Sequence, residues 1–472
     1  MMNRRNFFKA GLMASLAAGA GIAKAESSEK VKKTKKYTSV RETDVLVVGA
    51  GAAGCPTAIA AARGGAKVIL LDEDSLIGGA PVDMYVSYIC GGPRLGIISE
   101  MCDLLLKKYN ITPSKKQNGA MWFFPSSVNF ALMEMIAAEK NISIVTNAPV
   151  CGAIMSDKGK DGRRKILGVE YIDSYNKLRA IKAKIVVDAT GTGSLSEFAG
   201  VECMFGREAK SEFNERLALE KHENKVQSCT QMFMMQAFRP DANIQTPEYW
   251  KTRINNRLIL DSGVGFTSFR PREYARKNIT QYLVWGAHGA CDTRDNVALA
   301  HLQADIIKRL MPLQAEMWKF GYAMNLAPKI GVRECRRVVG DQILTSEDLL
   351  KQTGEVQGAA PKYPDDGIAQ GRYVLDCWGR PDIAKNKIDK IQLRFAIPYG
   401  CTLAKGVENL MLAGKHISGT SLAASAYRVQ PIVAGVGQAV GTAAAMAIAA
   451  KTQPRSIDIN ALKASLKTQG IL

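Results

Sequence analysis

The chain has 472 residues, 47% of them hydrophobic and 23% charged, proportions that fit a globular protein with a large core and exclude a disordered or fibrous chain. Its net charge of +19 comes with no nucleic-acid-binding motif. The balance therefore points to anionic small molecules or an acidic redox partner instead. Ten cysteines include no C-x-x-C and no C-x-x-C-H, which excludes a zinc ribbon, a thioredoxin-like pair and covalent attachment of c-type haem; most read as buried small apolar residues.

Residues 1–25 open with Arg4 and Arg5, continue through an uncharged stretch from Ala10 to Ala23, and close on Ala23-Lys24-Ala25. A basic start, a short apolar middle and an A-x-A end are the layout of an export signal, and the paired arginines indicate the twin-arginine route. The uncharged stretch is too short for a spanning helix, which needs roughly 20 apolar residues. The expected mature protein is periplasmic, with no stable membrane span. Residues 26–41, with Lys30, Lys32, Lys33, Lys35, Lys36 and Arg41, read as a basic linker.

Residues 42–202 begin with an apolar run, Asp44 to Val48, leading into Gly49-Ala50-Gly51-Ala52-Ala53-Gly54. An Ala-rich helix is predicted to Arg63, then a second strand, Lys67 to Leu71, ending at Asp72 and Glu73. This is a βαβ unit with G-x-G-x-x-G between strand and helix and an acid placed for a ribose hydroxyl. Gly49 permits the turn, Gly51 lets the backbone approach a pyrophosphate, and Gly54 brings helix and strand together. The unit specifies an ADP-containing dinucleotide without choosing between NAD and FAD. Two distant predicted strands, one ending at Asp188-Ala189-Thr190-Gly191 and one from Leu410 to Ala413, suggest a cofactor spanning one whole face.

Residues 203–393 read as an inserted α+β substrate domain. It includes strands within 266–295 and a helix from Asn296 to Phe320, with Leu299, Leu302, Ile306 and Leu310 on one face. Gly354 to Gly371 is a predicted surface loop. Residues 394–455 return to the first domain and 456–472 form a tail. Val429 to Ala450 carries no charge and could span a bilayer by length, but its glycines and glutamines favour a buried helix packed on the βαβ unit.

The segments Gly331–Leu350, "GVRECRRVVGDQILTSEDLL", and Ile397–Ser418, "IPYGCTLAKGVENLMLAGKHIS", resemble those of a bacterial family of FAD-dependent oxidoreductases in the two-dinucleotide-binding flavoprotein superfamily. The resemblance covers about Asp44 to Ala450. It implies a Rossmann-like FAD-binding domain of the glutathione-reductase type with non-covalent FAD. Gly49, Gly51, Ala52, Ala53, Gly54, Asp72 and Glu73 would hold the adenosine diphosphate. Gly78, Gly79 and Ala80 would line the flavin side, and Val150 with Cys151 would lie near the adenine. Gly191 would lie over the cofactor, Gly414 near the ribityl chain, and a helix opening at Pro431 would point at the flavin pyrimidine. Only one G-x-G-x-x-G has strand and helix context, so no separate NAD(P)H domain is expected, and FAD would be acquired before export. No metal site is expected.

Five residues are candidates for substrate chemistry. His416 follows the Gly414 turn, and His288 sits between glycines in "WGAHGACD". Arg428, in "SAYRVQP", could grip a carboxylate; Tyr427 beside it and Arg94 in "CGGPRLG" complete the set, with Tyr399 weaker. Arg333, Arg336 and Arg337 form a basic cluster whose plain alternative is a helix face paired with Glu334 and Asp341. Two enzymes fit. One is a reductase of a small unsaturated carboxylate, fed by a cytochrome or quinol. The other is a dehydrogenase of a sugar, hydroxy acid or amine that passes electrons outward. The lean is to the first. A non-enzymatic flavin-bearing binding protein is the third alternative.

Overall fold

Long runs of Val, Ile and Leu with no polar alternation form central strands covered on both faces, as parallel strands require. In the computed structural model, β1 (Val40–Val48), α1 (Gly54–Arg63) and β2 (Val68–Leu71) form the βαβ unit. The structure describes residues 37, 39–109, 121–238, 266–269, 281–355, 360–377, 380, 383 and 390–472; those from 39 onward belong to one unit, Thr38–Leu472. The predicted leader and most of the basic linker lie outside the described residues. β1 begins at Val40, within the span read as linker.

Four more strands complete the first antiparallel and parallel pairings: β3 (Ile142–Val145), β4 (Val150–Met155), β5 (Ile166–Ile172) and β6 (Leu178–Asp188). The sheet order is β3-β2-β1-β6-β5-β4. β3, β2, β1 and β6 are parallel, whereas β5 pairs antiparallel with β6 and with β4. A late strand, Leu410–Leu412, also joins β6 in parallel. Register puts Val48 level with Leu71 and with Asp188, and Asp188 level with Leu412. The loops that leave these carboxyl ends therefore meet in one crevice, where open α/β sheets bind ligands.

The second sheet comprises β7 (Cys229–Ala237), β8 (Phe266–Phe269), β9 (Gln281–Gly289) and β10 (Tyr322–Leu326), antiparallel in the order β8-β9-β7-β10. Helix α2 (Asn296–Lys319) is capped by Asp295, which accepts from Val297 N at 2.8 Å. It buries Ile306, Leu310, Leu313 and Met317 with Phe233, Met235, Val284 and Tyr322, close to the predicted face; Leu299 and Leu302 are only partly buried.

Three expectations are corrected. Residues 354–371 are not all loop, since β11 (Gly367–Tyr373) pairs antiparallel with β12 (Leu393–Pro398). The chain from Gly331 to Val338 is not a helix; only Arg337–Val338 is regular, as a short strand. The tail 456–472 folds as a helix, Ile459–Thr468, because Leu462 and Leu466, with Ile471 beyond it, are buried against the core. The uncharged stretch near the end is α3 (Gln430–Ala449), followed by that helix as α4. Although α3 is apolar enough to cross a membrane, 78% of its apolar window is buried. A Cβ on Gly437 would lie 2.2 Å from Ala53 O, and one on Gly441 2.2 Å from Thr57 O, so these glycines let α3 lie against α1 backbone to backbone.

Candidate functional site

At the crevice, the first glycine loop and the β6 end fit with no room for side chains. Gly49 has φ +102°, and a Cβ there would stand 2.3 Å from Ala189 O. Gly79 has φ +60°, and its Cβ would meet Gly51 Cα at 2.8 Å. Gly51 itself differs, since its Cβ would approach nothing closer than Gly79 Cα at 3.8 Å. Glycine there keeps a gap between two loops open, and no side chain caps α1 at Ala53. A bare helix N-terminus facing a backbone-lined gap fits a pyrophosphate. Gly78 N donates to Ala50 O at 2.7 Å, which ties the two loops together, with Ala80 opening the next short helix.

Asp72, at the end of β2, accepts from Ala50 N and, at 2.8 Å, from Asp74 N. Burial pushes its carboxyl up to about 6 against those two bonds. Glu73 points outward and pairs with Lys329 at 2.7 Å, and Lys329 also holds Asp74 at 2.6 Å. Asp72 O accepts from Ala148 N at 2.9 Å, which brings the chain before Val150 alongside the acidic loop.

Asp188 ends β6 with no exposure. Its carboxylate accepts from Thr190 Oγ1 at 2.8 Å, Ser196 N at 2.9 Å and Ser196 Oγ at 2.7 Å, and lies 3.2 Å from His416 Nε2. Burial raises its pKa, but the imidazole and these donors outweigh it and hold the carboxyl well below the ordinary range. His416 is thus placed behind the Gly414 turn, where a Gly414 Cβ would be 3.3 Å from Nδ1; Nδ1 has no hydrogen-bond partner among the described residues. Pro431 lies in the first turn of α3, which opens one residue earlier, at Gln430.

The basic cluster has three fates. Arg337, 1% exposed, is locked between Glu334 Oε1 at 2.6 Å and Glu208 Oε1 at 2.5 Å. Arg336 pairs with Glu197 at 2.6 Å. The Asp341 expected as partner binds Arg455 instead, at 2.8 Å. Arg333 turns to the second sheet, donating to Ser228 O at 2.6 Å and to Thr230 Oγ1. Burial, with Arg428 nearby, lowers it to about 10.

Thr230 Oγ1 also lies 2.8 Å from His288 Nδ1. Burial and Arg333 pull His288 down to about 4, so its ring is neutral at pH 7. Arg428 Nη2 reaches Asp376 Oδ2 at 2.8 Å and Gln227 Oε1 at 3.2 Å, while its buried Nε has no partner among the described residues.

Lys415, passed over in the sequence between Gly414 and His416, completes this group. Its Nζ would lie 3.0 Å from a Cβ on Gly191, directly over the β6 loop. Burial lowers it, and Arg428 adds to that. A lysine at the C-terminal end of a central strand was the available signal. Lys415, Arg333 and Arg428 come from three separate segments, and Asp376 is the acid bonded to the group. Tyr373 on β11 lies beside it, with its hydroxyl 3.6 Å from Cys90 Sγ.

Three candidates fall elsewhere. Tyr427 is fully buried and its hydroxyl donates to Ile417 O at 3.0 Å, a packing role. Tyr399 is likewise buried, its hydroxyl donating to Pro454 O at 2.9 Å. Arg94 reaches Cys102, on the helix Ile97–Tyr109, so its guanidinium turns toward that helix.

Comparison with known proteins bears on this cleft. The model of the FAD dependent oxidoreductase family matches residues 44–466. A digeranylgeranylglycerophospholipid reductase 2 of Methanosphaera stadtmanae is 30% identical over 170 residues, which are 34% of this chain and 43% of that protein; the chain spans less than half of that relative. Among solved structures, a geranylgeranyl bacteriochlorophyll reductase-like protein from Thermoplasma acidophilum aligns over 92% of this chain and 85% of its own, at 12% identity and a TM-score of 0.41. The OxyS anhydrotetracycline hydroxylase from Streptomyces rimosus aligns over 90% and 66%, at 11% identity and a TM-score of 0.41. With the family match covering nearly the whole described chain, and a cleft that leaves room for a pyrophosphate, the protein belongs to the FAD dependent oxidoreductase family and uses FAD as its cofactor.

Proposed function

We propose that the protein is an exported reductase of a small unsaturated carboxylate, with a glutathione-reductase-type FAD domain and electrons supplied by a separate redox protein. One observation carries the substrate class: Lys415 lies over the Gly191 turn, Arg428 is near enough to act on both Lys415 and Arg333, and Asp376 bonds Arg428. Cations gathered in a partly desolvated site repel one another, and an anionic ligand relieves that cost. A carboxylate supplies that charge and fits the planar fork of an arginine.

Bound FAD supplies hydride transfer to a polarised double bond. The chain's own residues bind and orient. Gly51 and Gly79 admit the diphosphate, and Asp72 offers a buried acceptor at the adenosine end. Arg428, steadied by Asp376 and Gln227, presents its Nε to the substrate carboxylate, and Lys415 adds charge from the cofactor side. His288, neutral at pH 7, is a poor base there. The reductase named among the curated relatives agrees in direction, and the Arg4-Arg5 leader supports export.

The test is anaerobic. The purified protein is reduced with an artificial donor and its visible spectrum is followed while fumarate, acrylate-type and urocanate-type acids are added. Rapid reoxidation by one of them is expected. Flavin that stays reduced with all of them, yet becomes reduced in the oxidised enzyme by sugars, hydroxy acids or amines, overturns the reading in favour of a dehydrogenase.

A further inference from the structure

A second concentration of positive charge lies outside the cofactor cleft. Arg372 on β11 and Arg394 on β12 stand directly opposite each other in the antiparallel register, and both are exposed. Lys463 and Lys467, four residues apart on α4, face the same groove, which encloses about 470 Å³ and includes Pro93 and Phe395 in its wall. No acidic side chain lines it among the described residues. Like charges directly across a strand pair, or at i and i+4 on a helix, repel each other.

Several exposed cations elsewhere are paired, though others, such as Lys107 and Lys140, stand singly among the described residues. Arg63 has Glu100, Lys108 has Glu134, Arg294 has Asp292 and Arg309 has Asp305. In the groove Lys463 Nζ donates to a backbone carbonyl, Asp365 O, at 2.5 Å. Concentrated, unpaired charge on exposed side chains is the form electrostatic steering takes. A site built for a small anion would enclose its cations more, as the cofactor cleft partly buries Arg333 and Lys415.

The groove is also one strand away from that cleft. Arg372 and Tyr373 are neighbours on β11, so their side chains leave on opposite faces. Arg372 exchanges backbone hydrogen bonds with Gly92, at 2.6 and 3.0 Å. A Cβ on Gly91 would touch Tyr373 Cδ2 at 3.0 Å and Val429 Cγ2 at 2.8 Å, and Val429 adjoins Arg428.

We infer that this groove docks the acidic face of the redox protein that reduces the flavin, with Arg372, Arg394, Lys463 and Lys467 as the steering charges. The inference rests on the reading that electrons come from a separate protein. Two one-electron deliveries, with two protons from solvent, reduce one FAD and oxidise two partner molecules.

The experiment uses the FAD-loaded full chain and two independent charge reversals, Arg372→Glu/Arg394→Glu and Lys463→Glu/Lys467→Glu, each checked for flavin spectrum and melting temperature. Stopped-flow reduction of the flavin is measured with a reduced acidic flavodoxin as protein donor and with reduced methyl viologen as a donor lacking a protein surface. The expected result is a flavodoxin rate that falls at least about tenfold in both variants at low salt, and falls in the wild type as salt rises. The viologen rate stays within about threefold, since steering acts on the protein encounter.

An unchanged flavodoxin rate in either folded variant, or a wild-type rate indifferent to salt, overturns the inference. So does full inhibition by inorganic tripolyphosphate at an ionic strength where chloride has no effect, which would make the groove a small-anion site. Failure of every enoate to reoxidise the flavin would remove the substrate reading only, because this test reads the reducing half-reaction.

Discussion

Two arginines four positions apart in sequence, Arg337 buried and Arg333 partly buried, live in different electrostatic settings. Arg337 is enclosed by Glu334 and Glu208, and Glu208 accepts in turn from Ser421 N at 2.9 Å. Arg333 donates to a carbonyl and a hydroxyl, and has Arg428 and Asp376 nearby. The first setting is closed, with its charge balanced by the fold. On the proposed reading the second is open, and a bound carboxylate completes its balance. A closed cluster is therefore a stability device, and an open one a binding device whose residues cost the empty protein stability.

Arg337→Ala should show the largest effect. It leaves two buried carboxylates unpaired and is expected to cost about 3–5 kcal/mol in denaturant unfolding. Substrate-dependent reoxidation per folded flavin should stay close to wild type. Arg428→Gln should reverse this pattern, lowering kcat/KM for the acid by about 10²-fold, roughly 2.7 kcal/mol, while unfolding shifts by less than about 1 kcal/mol. Equal losses of stability in the two variants would erase the distinction between the clusters.

Lys415→Met sharpens it further. The ammonium is desolvated without a bonded acid, so the apo protein should melt at the same temperature or a few degrees higher, although carboxylate affinity falls. A drop of several degrees would show that the fold already balances this charge.

Smaller effects concern pH. The carboxyl of Asp72 is raised to about 6, so the folded state binds more protons than the unfolded one between about pH 4 and 6. Its contribution to apo stability is full at the acid end and is lost as pH rises through 6. Asp72→Asn should therefore raise the apo melting temperature at pH 7.5 but not at pH 4.5, while weakening FAD retention. His288, near 4, keeps one charge state from pH 5 to 8, so carboxylate binding should show no titration from it in that range.

Much of the cofactor half was legible from sequence because backbone requirements leave residue signatures. A loop needing φ +102° and a 2.3 Å approach to Ala189 O demands glycine at 49, and a strand buried on both faces must be apolar throughout. The α2 core face was likewise readable from its period, within one residue of the observed end. The cation group was only half legible, since Arg428 and Arg333 were singled out while Lys415 was not. What unites them is the meeting of three segments, which no local spacing encodes. The three arginines at 333, 336 and 337 show the limit most clearly. Their spacing suits a helix face, yet the extended chain sends each to a different partner. The terminal helix was missed because its apolar residues, Leu462 and Leu466, are too few to announce a face.

The most direct test of the open cluster is a binding titration followed by the visible spectrum of the oxidised flavin. An enoate acid and its uncharged amide are compared in the wild type, in Lys415→Met and in Arg428→Gln. The expected result is an acid that binds at least about tenfold more tightly than its amide in the wild type, an advantage largely lost in both variants. Equal affinity of acid and amide in the wild type, or an advantage untouched by both substitutions, would contradict the claim that these cations await a substrate's negative charge.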